Sequence, residues 1–340
     1  MKKWNGYQKG INLGGWLSQA ELTKEHCDTF IQKSDIQKIA EWGFDHIRLP
    51  IDYNLVQDNK SGFIETGFAY IDNCIEWCEK YSLNMILDLH KTAGFSFDEG
   101  ECEKGFFYDD DMISRFISLW TEFAKRYGKY SRRLAFELLN EVVDESDNEP
   151  WQKIAESTVD IIRKYAPETK ILIGSYYNNS VQTVKHIANP FDENIIYNFH
   201  CYEPLLFTHQ GAYWVKNMPA NFRIKYPMPK DDFLAESKKA PNINEFEWAV
   251  PESGFSTEYF ENLFHEAIET AEKRNVMLYC GEYGVIELAD PESAVNWYHD
   301  IHSVLEKYGI GRAIWCYKGK DFGILDGMLN IVRDDIIKNS

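Results

Sequence analysis

The sequence predicts an α/β protein closed as a (β/α)8 barrel, and three observations carry that prediction. Eight short, nearly continuous apolar runs recur along the 340 residues, and most are followed by a longer stretch of helical periodicity. Runs of about five apolar residues suit strands covered on both faces, and strand alternating with helix implies parallel strands joined by right-handed crossovers. An open doubly wound sheet would want a glycine-rich phosphate turn after an early strand. Gly14-Gly15 follows the first run, but no third glycine stands at the right spacing and Trp16 intrudes.

The eight strands are read near 10–13, 45–49, 84–89, 134–139, 170–174, 195–200, 277–281 and 312–316. The second is Asp45-His-Ile-Arg-Leu49 and the third Asn84-Met-Ile-Leu-Asp-Leu89. Between them, Asp35 to Glu41 and Ile71 to Tyr81 read as helices, the latter with Ile71, Cys74, Ile75 and Cys78 on one stripe. Ser157 to Tyr165 repeats the pattern with Val159, Ile162 and Tyr165. The rhythm breaks once, between Tyr202 and Asn275, an interval far beyond an ordinary loop plus helix. It holds Tyr213, Trp214, Phe222, Tyr226, Phe246, Trp248 and Phe255 among several prolines. An ordered insertion is expected there, a subdomain or lid carried by residues 202–275 of a single domain spanning 1–340. A barrel of roughly 250 residues accommodates such a decoration within this length. No linker, low-complexity tract or internal repeat marks a separate module.

Composition bounds the partners. A formal net charge of −18 would repel phosphate backbones and anionic lipid, so neither nucleic acid nor a membrane is expected as a partner. Aromatics at 15% supply a core and leave some for the surface, which fits a neutral substrate. The seven cysteines, at 27, 74, 78, 102, 201, 280 and 316, show no CxxC or zinc-ligand spacing and read as buried free thiols. That pattern suits a reducing compartment. The start, Met1-Lys-Lys-Trp-Asn-Gly-Tyr-Gln, lacks the apolar stretch of a signal peptide, so the chain is cytoplasmic in character unless a leader was removed. A monomer is expected.

Active-site residues of a closed barrel lie at the C-terminal ends of its strands. Glu141 closes Leu134-Ala-Phe-Glu-Leu-Leu-Asn-Glu141, and Glu282 sits in Met277-Leu-Tyr-Cys-Gly-Glu-Tyr-Gly284. Two carboxylates so placed are what a sugar-cleaving site needs. Arg48, His90, Asn140, His200, Tyr202 and Trp315 meet the same positional test.

These residues carry a resemblance. Gly10-Ile-Asn-Leu-Gly-Gly-Trp16, His46-Ile-Arg-Leu-Pro50, Leu87-Asp-Leu-His90, Phe136-Glu-Leu-Leu-Asn-Glu141, Tyr197-Asn-Phe-His-Cys-Tyr202, Gly281-Glu-Tyr-Gly284 and Ala313-Ile-Trp315 resemble glycoside hydrolase family 5 over nearly the whole chain. The resemblance implies Glu141 as acid/base and Glu282 as nucleophile, with Arg48, His90, Asn140, His200, Tyr202 and Trp315 at the remaining shared positions. It implies a retaining endo-β-1,4-glucanase acting on cellulose-like or mixed-linkage β-glucans, with mannan or glucomannan as the alternative substrate on the same scaffold.

Chemistry gives each residue a task. Retaining hydrolysis needs one carboxyl that starts protonated and one that attacks the anomeric carbon. Arg48 is expected to hold Glu282 ionised, and that anion to favour the protonated form of Glu141. Tyr202 would orient Glu282, and Asn140 would bind the sugar 2-hydroxyl. Trp315 would offer its face to the pyranose C–H groups, while His90 and His200 exchange hydrogen bonds with hydroxyls or the acid/base. Each position has a plainer use: Arg48 on strand-end carbonyls, the histidines and Trp315 in the core. Glu137, on the same strand face as Glu141 by period-two counting and deeper in the strand, reads as a buried hydrogen-bonded support. Two departures from the family pattern stand out, Val142 after Glu141 where proline is common, and Lys91 after His90 where a second histidine is frequent. No cofactor and no metal are expected, since Asp88 and His90 are the nearest approach to paired metal ligands. A metal-dependent hydrolase and a non-catalytic glycan-binding barrel are the rival readings.

Overall fold

The computed structural model describes residues 1–98, 101, 105–241, 243 and 246–338. Its strands are β1 (Gly10–Asn12), β2 (His46–Asp52), β3 (Asn84–Lys91), β4 (Leu134–Glu137), β5 (Ile171–Ile173), β6 (Ile195–Cys201), β7 (Met277–Tyr283) and β8 (Gly311–Ile314). They pair in parallel in sequence order, and β8 closes on β1. All eight apolar runs of the sequence are strands. Some runs outlast the ladder because apolarity continues into the strand-end loops, where Leu138, Leu139, Trp315 and Cys316 remain buried. Every strand residue except Asn84 and Met277 is buried, the consequence of helices outside and side chains within.

The N-terminal half of the barrel is packed shut. Ile86, Ala135, Leu172, Ile196, Tyr279 and Ala313 fill it, and Trp4 and Tyr7, stacked at 3.9 Å, join the same cluster. His46 adds its ring to the interior, with Nε2 2.7 Å from the Tyr279 hydroxyl. A Cβ at Gly10 would lie 2.2 Å from that nitrogen, so β1 can face His46 only as glycine. A closed lower half leaves the C-terminal mouth for chemistry.

The outer helices follow the predicted stripes. The helix Glu65–Tyr81 buries Phe68, Ile71, Cys74, Ile75 and Cys78 and ends at Ser82 in the left-handed region. The helix Asp110–Tyr127 starts on the Asp109 carboxylate, which accepts from the N–H groups of Asp111 and Met112, and ends on Lys125 and Arg126. The helix expected over Ser157 to Tyr165 is Asn148–Ile162. Beyond Ile162 the N–H groups of Lys164 and Tyr165 turn back only three residues, to the carbonyls of Ile161 and Ile162, so the regular helix gives way to a tighter turn before Pro167.

Between β6 and β7 the chain forms short helices at Leu205–Thr208 and Lys230–Ser237, a turn of 3-10 helix at Glu247–Ala249, and the long helix Thr257–Arg274. The last of these is the crossover helix of the sixth barrel unit, so the extra length lies ahead of it. Phe222, Tyr226 and Phe255 are buried in the same apolar cluster as the barrel's outer face, while Tyr213, Trp214 and Trp248 are exposed. Cys27, Cys74, Cys78, Cys201, Cys280 and Cys316 are free and buried; Cys102 lies outside the described residues. Among the described residues, no helix is long and apolar enough to cross a membrane.

Candidate active site

Strand parity explains which side chains reach the barrel mouth. Asn12, Arg48, Asp88, Glu137 and Asn198 are buried polar residues on five different strands, and Arg48 connects them. Its Nε and Nη2 donate to the two oxygens of Glu137, both at 2.7 Å. Nη1 donates to Asn12 Oδ1 at 3.0 Å and to Glu282 Oε1 at 2.6 Å. Nη2 also donates to Asn140 Oδ1 at 2.9 Å and lies 3.0 Å from Asp88 Oδ2. Asn198 Nδ2 donates to Glu137 at 2.8 Å, and its Oδ1 accepts from the Gly281 N–H. Burial alone would lower the Arg48 pKa, but Asp88, Glu137 and Glu282 raise it well above the ordinary value. The guanidinium is a permanent cation at the floor of the site.

Glu282 reaches this cation through a β-bulge. Phe199 pairs with Cys280 but His200 pairs with Glu282, so β7 carries one extra residue at Gly281. Without it, Glu282, three positions after the inward Tyr279, would point out of the barrel. The bulge turns it in, where Oε2 accepts from the Tyr202 hydroxyl at 2.9 Å.

Glu141 has a different neighbourhood. Oε1 lies 2.7 Å from His200 Nδ1, and Oε2 accepts from Asn178 Nδ2 at 2.9 Å. Burial pushes its pKa up to about 7, against the smaller lowering effects of Asn178 and Arg48. Sequence reasoning assigns that rise to the Glu282 charge; desolvation is the cause found here. Burial also lowers His200 to about 4, so the imidazole is neutral where Glu141 is protonated. Burial raises Asp88 to about 7 in spite of Arg48, and it lowers His90 well below the usual value. His90 Nδ1 lies 2.6 Å from Asp88 Oδ2, and its ring is parallel to Trp315 at 5.7 Å. Gly14 makes room for that indole, since a Cβ there would lie 2.8 Å from its ring.

All eight site residues expected from the sequence, Arg48, His90, Asn140, Glu141, His200, Tyr202, Glu282 and Trp315, converge on this mouth. Glu137 is the expected buried support. Sequence reasoning missed Asn12, Asp88, Asn178 and Asn198 as members. Three of them share strand parity with named residues, Asn12 with Gly10, Asp88 with His90, and Asn198 with His200, and could have been found by that signal. Asn178 could not, because it comes from an irregular turn after β5 in which Tyr177, Asn178 and Asn179 all have φ near +50°. The N–H groups of Tyr177 and Asn178 donate to the carbonyls of Val143 and Val142, which pins the turn beside Glu141.

The profile of the cellulase family, glycosyl hydrolase family 5, matches residues 5–321. The chain belongs to glycoside hydrolase family 5. This family 5 chain is 47% identical over 312 residues to cellodextrinase A of Ruminococcus flavefaciens, covering 92% of itself and 86% of that protein. It is 42% identical over 335 residues to endoglucanase C of Acetivibrio thermocellus, with 97% of each chain covered. The fold is that of Thermotoga maritima Cel5A, solved with cellobiose, at a TM-score of 0.76, 24% identity and coverage of 98% and 97%. It is a glycoside hydrolase.

Could this hydrolase site hold a metal? Glu141, His200 and Glu282 offer ligand atoms within 4.8 Å of one another. A cation there would have to displace the His200–Glu141 contact and compete with the Arg48 guanidinium, 2.6 Å from Glu282. A single imidazole beside a fixed positive charge is a poor match to the zinc sites of hydrolases, which use several neutral ligands.

Proposed function

We propose that this chain is a retaining endo-β-1,4-glucanase that cleaves β-glucosidic bonds of cellulose-like or mixed-linkage β-glucans by double displacement. One observation carries the reading: carboxylate oxygens of Glu141 and Glu282 lie within 4.8 Å of each other. Retaining enzymes hold their carboxyl groups roughly 5–5.5 Å apart, whereas inverting enzymes leave roughly 6.5–9.5 Å for a water.

In this reading Glu282, aimed by Arg48 and Tyr202, attacks the anomeric carbon while Glu141 gives its proton to the departing glycosidic oxygen. The C–O bond to the leaving chain breaks and a glycosyl ester on Glu282 forms. Glu141, now the base, takes a proton from water, whose oxygen attacks the same carbon and frees Glu282 with the original configuration restored. Asn140 Nδ2 and His200 Nε2 are buried without hydrogen-bond partners, donors free to meet sugar hydroxyls. An unpaired buried donor is costly, and a substrate hydroxyl that pairs it in the transition state lowers the barrier. The names of the relatives, an endoglucanase and a cellodextrinase, support β-1,4-glucan as the substrate.

The segment after Tyr202 fits as a wall of the cleft. Tyr202 packs on His209 and Phe322, and both touch Trp214, at centroid distances of 6.2 and 6.4 Å. Proton NMR during early hydrolysis of a soluble β-glucan tests the mechanism. The β-anomer is expected first; an initial α-anomer would overturn the role of Glu282.

A further inference from the structure

Tyr202 aims Glu282, yet the barrel itself does not fix Tyr202. The ladder of β6 ends at Cys201, so the tyrosine stands one residue beyond regular strand pairing. A phenol so placed has other rotamers open to it, and each carries the hydroxyl away from Glu282 Oε2, 2.9 Å distant. What holds it is the first turn of the insertion.

Thr208 and His209 close that turn, at the end of the short helix Leu205–Thr208. The Thr208 hydroxyl is in close contact with the Tyr202 carbonyl, lies 3.5 Å from the Pro204 carbonyl and 3.0 Å from His209 Nδ1. A hydroxyl has one proton to give, and carbonyls only accept. Thr208 therefore donates to the tyrosine backbone and accepts from His209, which fixes the imidazole as the tautomer with its proton on Nδ1. Burial lowers the His209 pKa to about 3, so the ring is neutral. The backbone is held as well: the His209 N–H donates to the Leu205 carbonyl at 2.9 Å, and its own carbonyl accepts from the Ala212 N–H at 3.0 Å. The Thr208 carbonyl accepts from the Ile286 N–H at 2.9 Å, so this turn is tied to the loops after both β6 and β7, the strands that lead to Tyr202 and Glu282.

The imidazole anchored in this way meets the Tyr202 ring edge to face, at 5.1 Å and 80°. Phe322, on the loop after β8, meets the same ring at 5.8 Å and 68° and touches His209 at 5.1 Å. Three rings in mutual contact restrict the phenol to the orientation that ends on Glu282. We infer that His209 is a positioning residue for the nucleophile, acting through Tyr202: its ring, locked by Thr208, holds the phenol where the hydroxyl meets Glu282. The inference rests on the two-glutamate reading above, and it gives the start of the insertion a part in the chemistry itself.

A double-mutant cycle on 4-nitrophenyl β-cellobioside tests it. His209→Ala should lower kcat by about tenfold with KM nearly unchanged, because a reacting group displaced by about 1 Å loses up to about a hundredfold and the loss falls on the transition state. In the Tyr202→Phe background, which has no hydroxyl to aim, the same change should cost less than about twofold. Thr208→Val, which frees the imidazole from its anchor, is the second variant and should lose about threefold in kcat with the same dependence on the Tyr202 hydroxyl. Melting temperatures establish that each variant is folded at the assay temperature. The inference is overturned if folded His209→Ala or Thr208→Val keeps the parent kcat, if the losses persist undiminished in the Tyr202→Phe background, or if Tyr202→Phe is as fast as the parent. Failure of the underlying reading shows separately, as Glu282→Gln keeping the parent rate.

Discussion

Replacing Glu141 by glutamine should make the protein more stable above neutral pH while disabling it on polymer. Glu141 carries a pKa raised by burial from 4.5 to about 7. A carboxyl raised in this way contributes stability that is complete below its unfolded pKa and is lost as pH rises through the folded one. The window is therefore about 4.5 to 7. At 1.36 kcal/mol per pH unit the loss amounts to ~3 kcal/mol by pH 8. The Glu141→Gln side chain would have no such titration. Its carboxamide oxygen would accept from Asn178 Nδ2 and its NH2 would donate to His200 Nδ1, the acceptor in the neutral tautomer that carries its proton on Nε2; His200 stays neutral above about 4.

For 340 residues the unfolding entropy near the melting point is ~0.7 kcal/mol per degree, so ~3 kcal/mol corresponds to about 4 °C. The assay is a pair of thermal melts of parent and Glu141→Gln at pH 5 and pH 8.5. The melting-temperature gap should widen by about 3–4 °C in favour of the variant at the higher pH. Asp88 titrates in both proteins, but the Glu141 charge is among the causes that raise it, so its pKa falls in the variant and the change adds to the variant's advantage at the higher pH. A gap that stays constant with pH would refute the claim that burial holds a proton on Glu141. On activity, the variant should lose polymer cleavage but retain some turnover of aryl glycosides whose leaving group needs no proton.

The parent's kcat/KM should decline above about pH 7, because the acid must begin protonated; a profile flat to pH 9 would remove Glu141 from that role. Dialysis against chelator should leave the rate unchanged, since Glu141 and Glu282 supply both proton and nucleophile, and activity restored only by a divalent ion would put the Glu141, His200 and Glu282 cluster to a different use. Trp214→Ala should weaken long substrates by about three- to tenfold more than short ones, as the loss of one stacking face. Equal effects on both would confine Trp214 to packing.

Much of this architecture was legible because a barrel strand is buried on both faces. That makes His46–Asp52 or Ile195–Cys201 stand out as continuous runs, and the C-terminal end of a run then locates a functional residue without any alignment. What could not be read are the departures from regular pairing. Counting by two from Tyr279 puts Glu282 on the outside; only the extra residue at Gly281 brings it in. Asn178 owes its place to three consecutive left-handed residues, which an Asn-Asn pair hints at but does not fix. The electrostatics were hidden for another reason. Charge signs can be read from residue types, but desolvation depends on depth, and depth exists only once the chain is folded.

That distinction bears on how two identical side chains come to do opposite jobs. Glu282 faces a guanidinium at 2.6 Å and a phenol at 2.9 Å, donors that reward negative charge. Glu141 faces a neutral imidazole and a carboxamide, and the Arg48 charge offsets only a small part of its burial. Among the described residues, Arg48 is the only cation in contact with this cluster, and Glu137, Asp88 and Glu282 already share it. Glu137 takes both Nε and Nη2, fixing the guanidinium plane so that Nη1 is the edge presented to Glu282. The supporting carboxylate thus sets the asymmetry between the other two. Glu137→Gln, which keeps the shape but removes the charge, should free part of the guanidinium field for Asp88 and Glu141, lowering the Glu141 pKa and moving the alkaline limb of the rate profile below about pH 7. An alkaline limb that does not move would mean that Glu141 responds to its depth alone and that Glu137 serves only to hold Arg48 in place.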